Sequence, residues 1–393
     1  MNILTSPELA RFREEVRAFL KARLTPELVA ATRSGPHVPR PLVARWQGLL
    51  HAQGWAAPHW PTAWGGTGWN EAQRYVFEEE TALADAPLGD VLGLFLAGPL
   101  LIAEGSEQQK ARFLPPILSG STFWCQGFSE PGAGSNLASL TTSARLDGDS
   151  WVISGQKTWL TGGHEADMMF LLARTETQGR PQQGLSIFLV DMQSPGLSLR
   201  PILTMDEAHS VNALFLDEVR VPGDALVGTR GQGWQYAKDL LARERVNNAQ
   251  APRTKRDIVE LDRLARTLQG PTGTPLIEDA GVLGTLAALV ADFVALESAV
   301  IEVIALQVSG LEPGPIASTL KIRGSELQQR VTETAMDWLA ERAVLLGASY
   351  GDPSPDPAAR GWTERHLFRR VVTIYAGSNE IQKNIIAKSL LGM

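Results

Sequence analysis

The spacing of hydrophobic positions changes period twice along the chain. Ser6-Pro7-Glu8 opens a helix, with serine at the cap, proline in the first turn and an acid near the positive end. Leu9, Phe12, Val16 and Phe19 follow at helical intervals and mark its buried face. A polar link with Pro36, Pro39 and Pro41 leads to a second helix through Trp46, Leu49 and Leu50. The stretch from Gly54 to Trp69, rich in Trp, Gly and Pro, is expected to pack between helices. Helical spacing resumes over 71–83 and 91–104. Ser106 and Gln109 stand in capping-box positions for the next helix, which Pro115-Pro116 is expected to end.

Beyond residue 120 the period becomes two. Leu140–Leu146 and Trp151–Ser154 flank Asp147-Gly148-Asp149-Ser150, a hairpin signal. Met168–Ala173, Leu185–Val190, Leu197–Pro201 and Ala213–Val221 are further strands, punctuated by Gly184, Pro195-Gly196 and Pro222-Gly223. Strands so close together, with no helix between them, favour an antiparallel sandwich or barrel. Helical spacing returns with Trp234, Ala237, Leu240 and Leu241 and predicts long helices at 277–309 and 314–348. Segment 252–274 holds the most loop-like sequence of this region, and a Pro/Asp/Gly loop at 351–361 precedes a last helical part. The expected fold is mostly α with a β middle domain. It comprises an N-terminal helical domain (1–120), an antiparallel β-sandwich or barrel (121–229) and a C-terminal four-helix bundle (230–393).

Composition narrows the function. With 44% hydrophobic and 20% charged residues, the 393-residue chain reads as soluble, globular and multidomain. A net charge of −7 disfavours nucleic acid as main partner, while a local basic pocket still admits an anionic substrate. Cys125, the one cysteine, allows no internal disulfide and sits in an apolar run as a buried filler. The six histidines lack ligand spacing, so no metal site is expected. Gly155-Gln156-Lys157-Thr158 is a near miss for a Walker A loop. The most apolar stretch, Gly281 to Gly310, carries Asp292, Glu297 and Glu302 and reads as a core helix, not a membrane span. No signal h-region is evident, and Glu8, Glu14 and Glu15 argue against a transit peptide, which makes a cytoplasmic bacterial protein the expectation.

The candidate chemistry centres on Phe123-Trp124-Cys125-Gln126-Gly127-Phe128-Ser129-Glu130-Pro131-Gly132-Ala133-Gly134-Ser135-Asn136 and on Lys157-Thr158-Trp159-Leu160-Thr161. Gly132 and Gly134 can take positive φ or let backbone approach a ligand, and Ser129 and Ser135 place hydroxyls at either end of the turn. In a strand, Trp159 and Thr161 share a face, an aromatic plane beside a hydroxyl. Amides, hydroxyls and a flat aromatic suit a flat, hydrogen-bonding cofactor with a phosphate tail.

These strings resemble the flavin-binding signature of the acyl-CoA dehydrogenase family, and the helical, β, helical order is also that family's. Within it the chain is most similar to the large subunit of bacterial pimeloyl-CoA dehydrogenase-type proteins. The resemblance implies FAD, held by Gln126, Phe128, Ser129, Gly134, Ser135, Trp159, Thr161, Ser378 and Glu380. It implies α,β-dehydrogenation of an acyl-CoA thioester to the 2-enoyl-CoA in fatty acid β-oxidation, with a carboxylate taking the α-proton and flavin N5 the β-hydride. Many members carry that carboxylate in Ile-Tyr-Glu-Gly; this chain reads Ile374-Tyr375-Ala376-Gly377, and alanine accepts no proton. A second group places it in Leu-x-x-Glu-Arg, matched by Leu241-Ala242-Arg243-Glu244-Arg245, so Glu244 is the candidate base. The alternative for Glu244 is a solvated helix residue between two arginines.

For substrate binding the resemblance implies Ser135, Arg245, Tyr375 and Gly377; Arg245 is alternatively a surface or helix-pairing arginine. The 91–104 helix would line the acyl-tail pocket with Leu92, Leu94, Phe95 and Leu96, and Gly93 and Gly98 leave room there, a hint of a bulky or long acyl group. Electron-transfer flavoprotein is the implied acceptor, and a homotetramer, or a heterotetramer with a second acyl-CoA dehydrogenase-like chain, the implied assembly. Three departures stand out: Asn136 replaces the usual Asp, and the usual FAD-holding segments are altered at 264–270 and 343–348. Two other readings stay open, a subunit with little activity alone and a flavin monooxygenase on the same fold.

Overall fold

The computed structural model describes residues 6–247, 249–270, 273–311, 314–343, 359 and 361–392. The chain folds into two compact units, and each gathers segments that are distant in sequence. One comprises residues 1–38, 69–87 and 244–393, the other 39–68 and 88–243.

The first unit is helical. It contains α1 (Pro7–Arg23), α2 (Pro26–Arg33), α4 (Glu71–Leu83), α8 (Ala251–Thr267), α9 (Ala280–Val308), α10 (Ile316–Leu339), α11 (Trp362–Arg369) and α12 (Asn379–Leu391). In α1, Ser6 Oγ accepts the Leu9 N–H at 3.2 Å, and Leu9, Phe12, Val16 and Phe19 are buried as their spacing requires. The polar link also holds the short helix α2, which Thr25 caps and Pro26 begins. Segment 252–274 corrects the sequence reading most. Residues 251–267 form α8, with Pro252 in its first turn. Its buried positions include Arg256 and Asp257 beside Ile258, Leu261 and Leu264, so the apolar stripe is interrupted by paired charges. Residues 344–348 of the altered segment at 343–348 lie outside the described residues.

The second unit joins α3 (Arg40–Gln53), a π-helical turn (Gly93–Ala97), α5 (Gly98–Glu104), α6 (Glu107–Ser119) and the strands. Helix α6 runs past Pro115-Pro116, contrary to the sequence expectation. Phe113, Leu114, Ile117 and Leu118 bury its face and Gly120 (φ +73°) closes it, which offsets the lost amide donors. In the π turn the Gly98 N–H bonds to Gly93 O. Leu94 O is thereby left to accept Trp60 Nε1 at 2.7 Å and His59 Nε2 at 2.9 Å. The room expected at two glycines is already filled. A Cβ on Gly98 would lie 1.9 Å from Trp60 Cζ2, and one on Gly93 would lie 2.2 Å from Asp90 Oδ2. These glycines serve close packing and carry no information on acyl size.

The strands are β1 (Trp124–Gly127), β2 (Ser143–Asp147), β3 (Ser150–Thr161), β4 (Met168–Arg174), β5 (Leu185–Asp191), β6 (Leu197–Leu203), β7 (His209–Pro222) and β8 (Leu226–Val227). They form one eight-stranded sheet in the order β6-β7-β3-β2-β4-β5-β8, with β1 beside β4. Pairing is antiparallel except β1–β4 and the single β2–β4 bridge. Ile153, Leu171, Phe188, Leu214 and Val219 belong to its fully shielded core, and Cys125 is buried there 3.6 Å from Met192 Sδ. The helix α7 (Gly233–Asn247) follows, and the division between units falls within it, after Arg243. Among the described residues no helix is long and apolar enough to cross a membrane.

Gly98→Ala should destabilise the protein by about 1–3 kcal/mol or more, because the indole of Trp60 cannot move without breaking its bond to Leu94 O. Thermal and urea unfolding against the parent chain check this; an unchanged transition would show that the packing relaxes freely.

Candidate functional site

In the β-containing unit, β1 delivers the chain into Phe128–Asn136, and one buried ion pair fixes the path of that loop. Lys157 Nζ lies 2.9 Å from Glu130 Oε1, with both side chains shielded from water. Glu130 also accepts the Thr141 N–H (2.7 Å), the Thr141 hydroxyl (2.9 Å) and the Thr142 N–H (2.9 Å). Lys157 donates a second bond to Phe128 O at 3.1 Å, and the Thr158 N–H donates to Ser129 O at 2.9 Å. The loop is thereby clamped along β3. Burial opposes ionisation of Glu130, yet the Lys157 charge and the Thr donors outweigh it and hold the carboxyl down at about 2. Burial likewise pushes the Lys157 ammonium down to about 8 against the pull of Glu130.

What the clamp leaves outside is suited to a ligand. Among the described residues, the side chains of Ser129, Ser135 and Thr161 find no hydrogen-bond partner, and Gly134 and Ser135 are exposed. Neither Gly132 nor Gly134 adopts positive φ, and a Cβ on either would meet nothing within 4 Å. Of the two uses expected for these glycines, close approach is therefore the one that the geometry serves. Gln126 Nε2 is buried with no partner among the described residues. Trp159 is 59% exposed at φ +61°, where the β3–β7 register shifts between Lys157 and Leu160. Thr161 is exposed too, and Leu160 between them is fully buried, so the expected shared face exists. A large aromatic in left-handed backbone costs about 1–3 kcal/mol and persists where surrounding bonds over-determine it. An orphaned amide donor, three free hydroxyls, an open glycine turn and an exposed indole fit a flavin.

The helical unit assembles a second group, Tyr375–Glu380, between α11 and α12. Ala376 (φ +52°) and Gly377 (φ +80°) are both left-handed. Gln382 Nε2 donates to Gly377 O at 3.2 Å, and the Asn379 N–H donates to Thr373 O at 3.0 Å. Asn379 Oδ1 accepts Lys321 Nζ at 2.9 Å and Ser325 Oγ at 3.2 Å; Lys321 is fully buried. Ser378 caps α12 through the Ile381 N–H. The Glu380 carboxyl is held below its usual range by its own N–H and the Ser378 hydroxyl at that helix start. Glu244 and Arg245 occupy helical positions of α7, and their side chains lie outside the described residues.

The sequence reading thus finds Gln126, Phe128, Ser129, Gly134, Ser135, Trp159 and Thr161 gathered in one unit, and Tyr375, Gly377, Ser378 and Glu380 in the other. It overlooked the residues that hold both groups in place. Lys157 lies at an inward position of a strand, and Lys321 on the buried stripe of α10 with Ala317, Leu320, Gly324 and Gln328. A lysine at a core position of a periodic segment is the signal that could have found them.

Three family models match, described as acyl-CoA dehydrogenase N-terminal domain (6–121), middle domain (125–219) and C-terminal domain (231–391). Among curated proteins the chain is 36% identical over 398 residues to acyl-CoA dehydrogenase IpdE1 of Mycobacterium tuberculosis, covering 98% of each. Among solved structures, a chain of the ChsE4–ChsE5 complex from Mycobacterium tuberculosis superimposes with a TM-score of 0.86 at 32% identity, covering 100% of this chain and 99% of that one. A chain of the Tcur3481–Tcur3483 steroid ACAD does so with a TM-score of 0.87 at 29% identity, covering 100% and 99%.

Glu130→Gln should cost about 3–5 kcal/mol, since it strands a buried ammonium, and Glu130→Gln with Lys157→Met should recover much of that loss. The stabilisation from Glu130 is present above its ordinary value of 4.5 and is lost as pH falls through about 2. Denaturant titrations of both variants from pH 7 to pH 3 check this, with equal losses in single and double variants as the contrary result.

Proposed function

The chain belongs to the acyl-CoA dehydrogenase family, and from that premise we propose that it removes the α- and β-hydrogens of an acyl-CoA thioester with Glu244 as base. As members of the family are, it is an FAD-dependent flavoprotein oxidoreductase acting on acyl-CoA. The observation that carries the assignment of the base is a pair. Residue 376 of the Tyr375-Ala376-Gly377 turn, left-handed at Ala376 and Gly377, is an alanine, while the sequence of α7 contains Glu244 followed by Arg245.

Gln126, Ser129, Ser135, Trp159 and Thr161 would hold the flavin in the β-containing unit; Ser378 and Glu380 are the further cofactor-binding residues that the family resemblance implies. FAD, when bound, supplies the acceptor for the β-hydrogen as hydride. Glu244 takes the α-proton, a task that needs its carboxyl pKa raised toward the working pH by exclusion of water. Arg245 pairs with the anionic CoA moiety, and Ser135, Tyr375 and Gly377 position the thioester.

A two-chain assembly is the favoured quaternary reading. Two of the similar structures carry two-component names, one of them described as a complex. The altered segment at 264–270 supports it from within the chain: residues 264–267 are the last turn of α8, with Leu264 and Ala265 buried against their own unit. An electron-transfer flavoprotein is the proposed acceptor, and the cytoplasm the proposed location.

The test is anaerobic mixing of the purified, flavin-loaded protein with a panel of acyl-CoA thioesters, read as loss of the flavin absorbance band. Glu244→Gln should retain flavin and bleach about 10²–10⁴-fold more slowly. Glu244→Gln with Ala376→Glu should regain part of that rate. A Glu244→Gln protein that bleaches within a few-fold of the parent removes Glu244 from the chemistry. A parent that oxidises no thioester and instead reacts with oxygen supports the monooxygenase reading. A colourless protein that turns yellow only with a second chain supports the heteromeric one.

A further inference from the structure

Between Lys157 and Leu160, strand β3 carries two residues, Thr158 and Trp159, opposite the single Ala213 of β7, because Lys157 pairs with Leu214 and Leu160 with Asn212. Trp159, at φ +61°, lies in this bulge. Before the bulge the chain is pinned by Lys157 and Glu130. After it a second cluster takes over, which the flavin reading does not use. Asn212, fully buried, donates from Nδ2 to Leu160 O at 3.2 Å and contacts His164 Nδ1 at 3.1 Å, and its Oδ1 lies 2.7 Å from His209 Nε2. Leu160 O also accepts the Gly163 N–H, at a longer 3.3 Å. The two imidazoles are exposed and stacked, with centroids 3.8 Å apart and planes inclined by 19°.

One carbonyl fixes the protons of this cluster. A carbonyl oxygen only accepts, so the amide NH2 of Asn212 is the group that faces Leu160 O. Its second hydrogen points to His164 Nδ1, which must accept and carries no proton. The amide oxygen faces His209 Nε2, which must donate. His209 can donate as a neutral or a charged ring, whereas His164 can accept only when neutral. Leu160 stands between Trp159 and Thr161, so the grip on its carbonyl sets the peptide plane that joins the bulge to Thr161. Resting on the reading of Trp159 and Thr161 as flavin-binding residues, we propose that Asn212 and His164 are positioning residues, His164 orienting the Asn212 amide and the amide holding Trp159 and Thr161 in place for the flavin.

The arrangement carries a pH dependence. Protonation at His164 Nδ1 would turn an N–H toward the amide NH2 and add charge beside the stacked ring. Burial, then His209, hold the His164 value below the ordinary 6.5, against Glu165 of the same loop. The other charged groups of the neighbouring loops are Asp167, paired with Arg40 at 2.6 Å, Asp206, which accepts the Thr204 hydroxyl at 2.5 Å, and the exposed Glu207. The contribution of neutral His164 is therefore complete above 6.5 and is lost as pH falls through its lowered value.

The experiment follows the flavin of the complete loaded protein, with its partner chain where one is required, by visible spectrum, fluorescence and affinity from pH 8 to pH 5. The parent should show a reversible transition below pH 6.5, with flavin held about 3–10-fold less tightly on its acid side, the worth of one hydrogen bond. His164→Phe keeps a stacked ring without the acceptor and should show the acid-side spectrum at every pH. His164→Gln supplies an amide oxygen that does not titrate and should keep the alkaline-side spectrum throughout. Both changes lie at the surface and carry the test if Asn212→Leu, which should weaken flavin binding to a similar extent at every pH, does not fold. A parent without the transition, or a His164→Phe protein that retains it, overturns the assignment. Trp159→Leu tests the underlying reading separately. Flavin spectrum and affinity unchanged in Trp159→Leu overturn that reading and this assignment with it. A change in Trp159→Leu with none in the His164 variants overturns the positioning role alone.

Discussion

The buried pair of Glu130 and Lys157 is the interaction on which the ligand-facing surface depends. Taking two charges out of water is unfavourable unless their remaining hydrogen-bonding capacity is met. Here the carboxylate has four donors and the ammonium two acceptors. The pair therefore acts as a register pin. Phe128 O and Ser129 O are both committed to β3, so the loop can close in one way only. The groups left uncommitted are the hydroxyls of Ser129 and Ser135 and the amide of Gln126. Rigidity and availability come from the same set of bonds.

Backbone strain is stored in both groups of candidate residues. Trp159 and Ala376 are non-glycine residues in the left-handed region, and each sits in a frame of bonds made by its neighbours. Beside Trp159 the frame is Lys157, Thr158 and the Asn212 side chain, which donates to Leu160 O at 3.2 Å. Beside Ala376 it is Gln382 and the Lys321–Asn379 bond. In the second case the frame grips backbone carbonyls and Asn379, never the side chain of residue 376. The turn can therefore keep its shape while that side chain changes from an acid to a methyl group.

Legibility followed the chemistry of burial. Helix α1 and the hairpin at Gly148 were readable because apolar period, cap and turn residue agreed. Helix α8 was not, because its inward face is written partly in charges. Arg256 lies between Asp85 and Asp257, and Arg365 reaches Asp257 and Glu260, so polar letters occupy core positions. The π turn was hidden for a different reason. Its cause is tertiary, an indole and an imidazole seeking Leu94 O, and no local pattern encodes that. The candidate flavin-binding residues were found through a resemblance of strings, whereas the holding role of Lys157 and Lys321 was carried only by the weaker signal of a lysine at a core position.

A base carried on a helix differs physically from one carried on a turn. A helical residue has its side-chain direction set by the i−3 and i−4 neighbours of its own helix, so its aim survives changes elsewhere. A turn residue at positive φ depends on every bond that maintains the turn. With Ala376 in the turn, the frame from Lys321, Asn379 and Gln382 has only to present Tyr375, Gly377 and Ser378. On the proposed assignment, the acid–base step and the positioning of the turn belong to separate elements. Each can be altered without dismantling the other, and that independence makes the proposed base on α7 separable from the loop by mutation.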